Sequence, residues 1–535
     1  MLDIRKVAKK LNINEEDIIL YGNDKAKIKL DYYKSITNRP NGKLVLVTAI
    51  TPTKAGEGKT TCTIGLVDGL NKIGVKALGA LREPSLGPVF GLKGGAVGGG
   101  KATIIPAEDI NLHFTGDMHA LTSSINLISS IIDNHIFQGN ELNIDPNNVV
   151  WPRALDINDR VLRNVTVGIG DKNGVERLDH FQITVASELM AILCLAADEE
   201  DFRERVNNIT VAYRYDGSPV YLKELKISNA IMKLMKYALN PNLVQTLEEN
   251  PIIIHGGPFA NIAHGCNSII ATKLALKLAP VVITEAGFGA DLGAEKFLDI
   301  KCRVAGLKPD AVVLVATIRA LKLHGGVEFE NLSTENIEAL SIGVENLRQH
   351  AENLKKYGVP IVIAMNHFKT DSEAEVAWLR NWCIENNYTV GFFDSFINGG
   401  DGARELANKV VEVLETKRSN FKPIYDTKLS IKEKIKKICS EIYRCDNVTF
   451  LPLAEEKIEK YEGIAANLPV CIAKTPLSFS DNPNLKNAPR GFEITVKDIA
   501  YKSGSKFLVV YLGNILTMPG LPKIPNAVHM ENENA

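Results

Sequence analysis

The chain has 535 residues, of which 45% are hydrophobic and 23% charged, and its 62 Lys and Arg nearly balance its 63 Asp and Glu. A chain of this length exceeds one compact core, so we expect two to four structural units. The balanced charge offers no basic surface for nucleic acid, which we therefore exclude as a partner.

The sequence also indicates the cellular compartment in which we expect the protein. No apolar run reaches the roughly 20 residues that a membrane span requires, and the first eleven residues predict a short amphipathic helix instead of a signal peptide. The eight cysteines are scattered, without a C-x-x-C pair, and most lie in apolar segments. We therefore expect a reduced, cytoplasmic protein with no membrane contact, no disulfide framework and no zinc site.

Short β-rich runs alternate with helical patterns along most of the chain, which indicates an α/β fold with a parallel sheet flanked by helices. Helices are predicted at residues 335–357 and 428–443, and another follows residue 59 and stops near Gly74. The glycine-rich residues 91–100 cannot form the interior of a regular element, so they predict a surface loop that is either mobile or closes over a ligand. Buried strands are predicted at residues 44–49, 76–81, 281–284, 311–316, 360–364, 390–393, 469–473 and 507–512.

The most informative segment runs from Lys43 to Thr61, where an apolar run leads through a glycine-containing turn into a helical pattern. It matches the phosphate-binding loop G-x-x-x-x-G-K-[ST], except that Thr53 stands where the first glycine is expected. In such a loop backbone N–H groups hold the phosphates, Lys59 reaches over them, and the Thr60 hydroxyl binds Mg²⁺. The predicted ATP-binding residues are Pro52, Thr53, Lys54, Ala55, Gly56, Glu57, Gly58, Lys59, Thr60 and Thr61.

The same loop is compatible with a second class of nucleotide-binding protein. Residues 54–60 also resemble the K-x-G-x-G-K-[ST] loop of partition and metal-pump ATPases, in which an early lysine crosses a dimer interface to a nucleotide. In that class ATP is a switch, whereas in a ligase it is a substrate. The loop by itself leaves both classes open.

Further segments favour the ligase. Together with the loop they resemble formate–tetrahydrofolate ligases, also called 10-formyltetrahydrofolate synthetases, and the resemblance extends from near residue 20 to Pro519. The segments that carry it are TPTKAGEGKTT (51–61), GLKGGAVGGG (91–100), INLHFTGDMHA (110–120) and VATIRALKLHGG (315–326), with residues 21–28, 284–297 and 473–481 in addition.

The resemblance implies ATP-dependent ligation of formate to tetrahydrofolate, giving 10-formyltetrahydrofolate, ADP and phosphate through a formyl phosphate intermediate. It implies a P-loop NTPase-like sheet with additional α/β domains: residues 1–106 plus 293–365 for nucleotide, 107–292 as an inserted α/β domain, and 366–535 for folate contacts. It further implies a homotetramer that uses Mg²⁺ with ATP and is activated by a monovalent cation, K⁺ or NH₄⁺. Activation of another carboxylic acid remains an alternative.

The resemblance also assigns residues. Arg82 follows the second predicted strand, and by resemblance it clamps formate and formyl phosphate; a surface pair with Glu83 is the alternative. Phe368 follows a strand and matches a family aromatic on one face of the pterin. Phe396 stands where relatives can carry Trp, and core packing is its alternative role.

Other polar residues receive no role. Asp117 and His119 could order the site or only bond a loop, while Glu285 and Asp291 could contact Mg²⁺-bound water or cap a helix. His255 and His264 are too sparse to indicate a metal site.

The two classes differ in which lysine is essential. In a ligase we expect Lys54→Met to reduce turnover only modestly and Lys59→Met to abolish it, because Lys59 neutralises the transferred phosphoryl group. Steady-state rates of product formation compare the two variants. Loss of all turnover in Lys54→Met would instead favour the switch ATPase.

Overall fold

The computed structural model describes residues 1–53, 56–92, 96–260 and 262–532, and at its centre lies a mixed sheet of twelve strands. In chain order these are β1 (Ile18–Tyr21), β2 (Lys25–Ile28), β3 (Lys43–Ala49), β4 (Ala77–Leu81), β5 (Gly98–Gly99), β6 (Ala102–Ile105), β7 (Asn242–Thr246), β8 (Pro251–Ile254), β9 (Val281–Glu285), β10 (Ala311–Ala316), β11 (Ile361–Asn366) and β12 (Thr389–Phe393).

The order across the sheet is β1-β2-β7-β8-β4-β9-β3-β10-β11-β12, with β6 paired to β7 and β5 to β6. The neighbours from β8 to β12 are all parallel, whereas β1, β2 and β7 pair antiparallel. The fold is therefore α/β, with a mostly parallel central sheet. Loops that follow the parallel strands meet at one edge, which is where open α/β sheets bind ligands.

The predicted strands at 44–49, 76–81, 281–284, 311–316, 360–364 and 390–393 are confirmed within two residues and lie in this sheet. Those at 469–473 and 507–512 are also confirmed, but they belong to a separate three-stranded sheet. The smaller sheets comprise Val470–Ala473, Phe507–Tyr511 and Asp498–Lys502; Asn447–Phe450 and Glu493–Val496; Ile144–Val149, Thr210–Arg214 and Pro219–Tyr221; Val165–Val167 and Arg177–Asp179; and Arg153–Ala154 and Phe181–Gln182.

Strand β3 shows why the parallel region needs helices on both sides. Leu44 and Leu46 belong to one buried hydrophobic cluster, and Val45 and Val47 to another, because successive side chains of a strand point to opposite faces. Helices Lys59–Lys72 and Arg404–Thr416 contribute to the second cluster. Those contributing to the first are Ile4–Lys10, Leu30–Ser35, Ile269–Leu278, Cys302–Ala305, Ile318–His324, Ile337–Lys355, Glu373–Glu385, Ile431–Ile438 and Pro452–Ala465.

Four predicted helices are confirmed: Ile4–Lys10 near the start, Lys59–Lys72, Ile337–Lys355, and Ile431–Ile438, which continues as a π-helical turn to Tyr443. Side chains between Leu121 and Leu239 build a third hydrophobic cluster. The predicted domain boundaries stay a prediction.

No helix in the described ranges has the length and apolarity to cross a membrane. The remaining α-helices are Leu86–Phe90, Ala107–Asn111, Asp117–Phe137, Glu188–Leu195, Glu199–Asn207, Ser228–Met235 and Ser395–Asn398.

Helix Lys59–Lys72 packs unusually closely on the chain that follows β12. A Cβ at Gly65 would lie 2.5 Å from the Cβ of Ser395, and one at Gly69 would lie 2.6 Å from the Cβ of Ala403. The two glycines are four residues apart, so they lie on the same face of the helix. Their missing side chains allow the helix and residues 395–403 to touch.

We expect Gly65→Ala to destabilise the protein by about 1–3 kcal/mol, because the added methyl group overpacks this contact. Gly463→Ala is the matched control: Gly463 lies in helix Pro452–Ala465, and its Cβ would meet nothing within 4 Å. Alanine should stabilise that helix by about 0.5–1 kcal/mol. Thermal unfolding of both variants measures the difference, and an unchanged or raised Tm for Gly65→Ala would contradict the close contact.

Candidate functional site

The predicted phosphate-binding segment forms a strand, a loop and a helix. Strand β3 ends at Ala49, and a 14-residue helix begins at Lys59. Gly58 caps that helix with φ of 72°, in the left-handed region that favours glycine. The first backbone N–H groups of such a helix attract anions. Two of the predicted ATP-binding residues, Lys54 and Ala55, lie outside the described residues.

Neighbouring strand ends fix the shape of this loop. The Glu57 side chain is buried, and its carboxylate accepts hydrogen bonds from the Thr53 N–H, at 2.8 Å, and from the Thr317 hydroxyl. The Glu57 carbonyl accepts a third from Asn366 Nδ2, at 3.0 Å. Thr317 follows β10 and Asn366 ends β11, so the loop is held by the two strands beyond β3.

One buried carboxylate connects this loop with Arg82. Glu285 is the last residue of β9 and is 2% exposed. Its Oε2 accepts a hydrogen bond from the Thr60 hydroxyl at 2.9 Å, and its Oε1 lies 3.4 Å from Nη2 of Arg82. Sequence reasoning left Glu285 without a role; its position at the carboxyl end of a buried strand was the only signal. The structure thus brings together Thr60, Arg82 and Glu285.

The guanidinium of Arg82 sits in confined surroundings. A Cβ at Gly287 would lie 2.8 Å from Arg82 Nη1, so only glycine fits there without movement. Arg82 Nε is buried and finds no hydrogen-bond partner among the described residues. A mostly buried cation with an unused donor is suited to bind a small planar anion.

The buried imidazole of His264 lies in the same positive environment. Burial is the largest cause that lowers its pKa to about 3, and the charges of Lys301, Lys296 and Arg82 act in the same direction. The ring is therefore neutral at physiological pH and does not add to the positive charge.

The site has the donors that Mg²⁺ prefers. The Thr60 hydroxyl and the Glu285 carboxylate are adjacent oxygen donors, and Mg²⁺ in nucleotide sites takes one or two protein ligands together with phosphate oxygens. Within the part of the chain that the structure describes, no group of three or more His, Cys, Asp or Glu could hold a metal ion. A metal bound with nucleotide fits these residues better than a site made of protein ligands alone.

The two predicted folate-binding aromatics follow neighbouring strand ends. Asn366 of β11 pairs with Phe393 of β12, so Phe368 and Phe396 emerge at the same edge of the sheet. The guanidinium carbon of Arg319 lies 3.8 Å from the centre of the Phe368 ring. The Phe396 ring is 57% exposed, which argues against its alternative role in core packing.

The glycine-rich segment reaches Phe396. Lys101 N–H donates to the Phe396 carbonyl at 2.9 Å, and a Cβ at Gly99 would lie 3.0 Å from the Phe396 ring. Residues 93–95 of that segment lie outside the described residues. Its described end therefore packs on a predicted binding residue, and closure of the segment over a ligand stays a prediction.

A buried polar cluster supports the chain after Phe396. Glu248 Oε1 accepts a hydrogen bond from the Gly400 N–H at 2.7 Å. Asp68, on helix Lys59–Lys72, accepts from the Thr246 hydroxyl at 2.6 Å and from Asn250 Nδ2 at 2.7 Å. Burial, opposed by these two hydrogen bonds, raises the pKa of Asp68 to about 7.

The other polar residues considered at the sequence level have structural partners. Asp117 pairs with the buried Lys27 at 2.7 Å, and Asp291 with the buried Lys474 at 2.7 Å. His119 is exposed, with Nε2 3.4 Å from the Ser123 hydroxyl.

His255 is bonded through both ring nitrogens, to the Ser268 hydroxyl and to the Ala238 carbonyl, each at 2.7 Å. Burial lowers its pKa to about 4. A neutral imidazole with both nitrogens used is a structural group, which leaves no nitrogen for a metal.

A family model described as formate–tetrahydrofolate ligase matches residues 1–535, the full length of the chain. The match includes every segment that carries the sequence resemblance, from residues 51–61 to residues 473–481. It also includes the residues before 20 and after Pro519, which that resemblance does not reach.

Asp68 should make stability depend on pH. Its pKa is about 7 in the folded protein against 3.8 ordinarily. Between these values the folded state keeps a proton that the unfolded state has lost, so stability falls as pH rises from about 4 to 7. Asp68→Asn removes this contribution. We expect the difference in Tm between wild type and Asp68→Asn to fall as pH rises across that range. If Tm depends on pH in the same way in both proteins, the raised pKa of Asp68 is contradicted.

Proposed function

The chain belongs to the formate–tetrahydrofolate ligase family, carbon–nitrogen bond-forming enzymes that join formate to tetrahydrofolate with ATP, and on this premise we propose that it acts through formyl phosphate at the edge formed by β3, β9 and β4. The observation that carries the proposal is the position of Glu285 between Thr60 and Arg82. It supports a single site in which the phosphate-binding loop and an anion-binding arginine are adjacent.

In the first step a formate oxygen attacks the γ-phosphorus of ATP. The bond to the β–γ bridging oxygen breaks, and ADP leaves with the electron pair. Lys59 neutralises charge on the transferred phosphoryl group, and Arg82 orients formate and then formyl phosphate. Thr60 and Glu285 would hold the Mg²⁺ that enters with ATP, and the ion would supply charge neutralisation. Glu285 orients both Thr60 and Arg82.

In the second step the N10 amine of tetrahydrofolate attacks the formyl carbon. The carbon–oxygen bond to phosphate breaks, phosphate leaves, and the amine loses its proton. A mixed anhydride of this kind reacts with water, so the enzyme must exclude water from it. Phe368 and Phe396 provide apolar faces on which the pterin stacks, and the exposure of Phe396 supports that role.

The proposal extends to the wider architecture. We propose a P-loop NTPase-like arrangement around β3, supported by the parallel neighbours of that strand and by the helix that begins at Lys59. A homotetramer and activation by K⁺ or NH₄⁺ are proposed from family membership. Family membership favours formate as the acid that is activated.

The test is formation of 10-formyltetrahydrofolate with ATP, formate and tetrahydrofolate, each omitted in turn. We expect product only with all three, and ATP/ADP exchange or ADP release to depend on formate. ADP release undiminished without formate and without tetrahydrofolate would overturn the proposal. Turnover of acetate equal to that of formate would overturn the choice of acid.

Arg82→Ala should abolish turnover, because formate and formyl phosphate lose their charge partner, while Mg·ATP still binds through the loop. Arg82→Lys should recover only part of the rate, since a lysine cannot make two parallel hydrogen bonds. Rates and ATP affinity are measured for both variants. Full turnover by Arg82→Ala would remove this residue from the site.

A further inference from the structure

Arg319 lies between the phosphate-binding loop and Phe368. It is the second residue of helix Ile318–His324, which follows β10. Its Nη2 donates a hydrogen bond to the Gly56 carbonyl at 2.8 Å, and its guanidinium carbon lies 3.8 Å from the centre of the Phe368 ring. One side chain therefore touches a residue of the loop and a predicted folate-binding aromatic.

The chemistry of the guanidinium allows both contacts together. Its edge carries N–H donors and its flat face stacks on aromatic rings, so one group donates to a carbonyl while covering a ring. A lysine ammonium has no flat face, and a methionine has no donor. Arginine is thus specifically suited to this position.

The same strand ends hold the loop by other bonds. Thr317, two residues before Arg319, donates to the Glu57 carboxylate, and Asn366, two residues before Phe368, donates to the Glu57 carbonyl. The chain after β10 thus supplies Thr317 to the loop and Arg319 to the Arg–Phe contact. The end of the adjacent strand β11 likewise supplies Asn366 to the loop and Phe368 to that contact. A displacement of the loop is transmitted to Phe368 over a short, packed path.

We propose that Arg319 is a positioning residue that couples nucleotide binding to tetrahydrofolate binding. The inference rests on the proposed function, in which the loop binds ATP and Phe368 stacks on the pterin. Arg319 covers one face of Phe368, which leaves the other face for the ligand. Nucleotide that holds Gly56 in place also holds Arg319 and the ring in place, so each ligand binds more tightly when the other is present.

The chain offers a matched control. Arg303 also lies over an aromatic ring, 4.8 Å from the centre of Tyr425, and also donates to a backbone carbonyl, that of Tyr425, at 2.7 Å. Its bonds go to Asp299 and Tyr425, residues outside the loop. Arg303→Met therefore loses the same pair of contacts elsewhere in the protein, together with a hydrogen bond to the Asp299 carbonyl and an ion pair with the Asp299 carboxylate at 3.7 Å.

The test compares the affinity for tetrahydrofolate with and without a saturating non-hydrolysable ATP analogue and Mg²⁺, by titration calorimetry of the full-length protein. In wild type and in Arg303→Met we expect the analogue to tighten tetrahydrofolate binding by about 5-fold or more. In Arg319→Met we expect the ratio to fall to about one, with the affinity for each ligand alone within about 3-fold of wild type.

The inference is overturned if Arg319→Met keeps the wild-type ratio, if wild type shows none, or if Arg303→Met loses it equally. Phe368→Leu serves as a second variant. An unchanged affinity for tetrahydrofolate in this variant would mean that Phe368 does not bind the pterin, which would overturn the inference. Product formation is assayed on the same preparations. If product formation requires all three substrates but Arg319→Met keeps the wild-type ratio of tetrahydrofolate affinities, only the coupling is contradicted. If wild type forms no product, the proposed function itself is contradicted.

Discussion

The carboxylate of Glu285 is the interaction on which the site depends. A buried ionised carboxylate is costly unless hydrogen-bond donors or a positive charge surround it. Here the donor comes from Thr60, at the start of a helix after β3, and the charge from Arg82, after β4. Strand β9, which ends at Glu285, lies between these two strands in the sheet. The strand order therefore provides the Glu285 carboxylate with its hydrogen-bond donor and its positive charge. The carboxylate in turn fixes the relative positions of Thr60 and Arg82.

Much of the fold could be predicted from the sequence, because buried parallel strands are continuous apolar runs. Residues 311–316, for example, carry that signal within the strand itself. Strands β1, β2, β5, β6, β7 and β8 of the central sheet were missed. Short antiparallel strands such as Lys25–Ile28 carry charged residues and no long apolar run. The order of the strands was also beyond prediction, because crossovers between distant segments decide it.

The residues of the candidate site also divide into those that the sequence predicts and those that it does not. The loop and Arg82 could be found because each lies in a local pattern, or in a segment that resembles a family. Glu285 could not be assigned, because its partner Thr60 is 225 residues away along the chain. Arg319 was missed for the same reason: its contact with Gly56 exists only after β10 and β3 have become neighbours. Contacts made across the edge of a sheet carry no local signal.

Buried ion pairs connect distant parts of the chain around the sheet. Lys322 pairs with Glu375 at 2.8 Å, and Lys474 with Asp291 at 2.7 Å, with all four side chains almost fully buried. Removal of one partner from such a pair costs about 3–5 kcal/mol, because a charge then remains buried alone. The second pair joins the C-terminal segment to residues just after β9, six positions beyond Glu285. The C-terminal part of the chain is thus fastened close to the site.

The glycine face of helix Lys59–Lys72 has a mechanical consequence. Gly65 faces the Cβ and Oγ of Ser395 and the ring of Phe393, and Gly69 faces the Cβ and the backbone of Ala403, so the backbone of the helix lies directly against the facing segment. A contact this close leaves little room for the helix and residues 395–403 to shift relative to each other. Any opening that admits substrate must then come from movements other than a separation of this helix from residues 395–403.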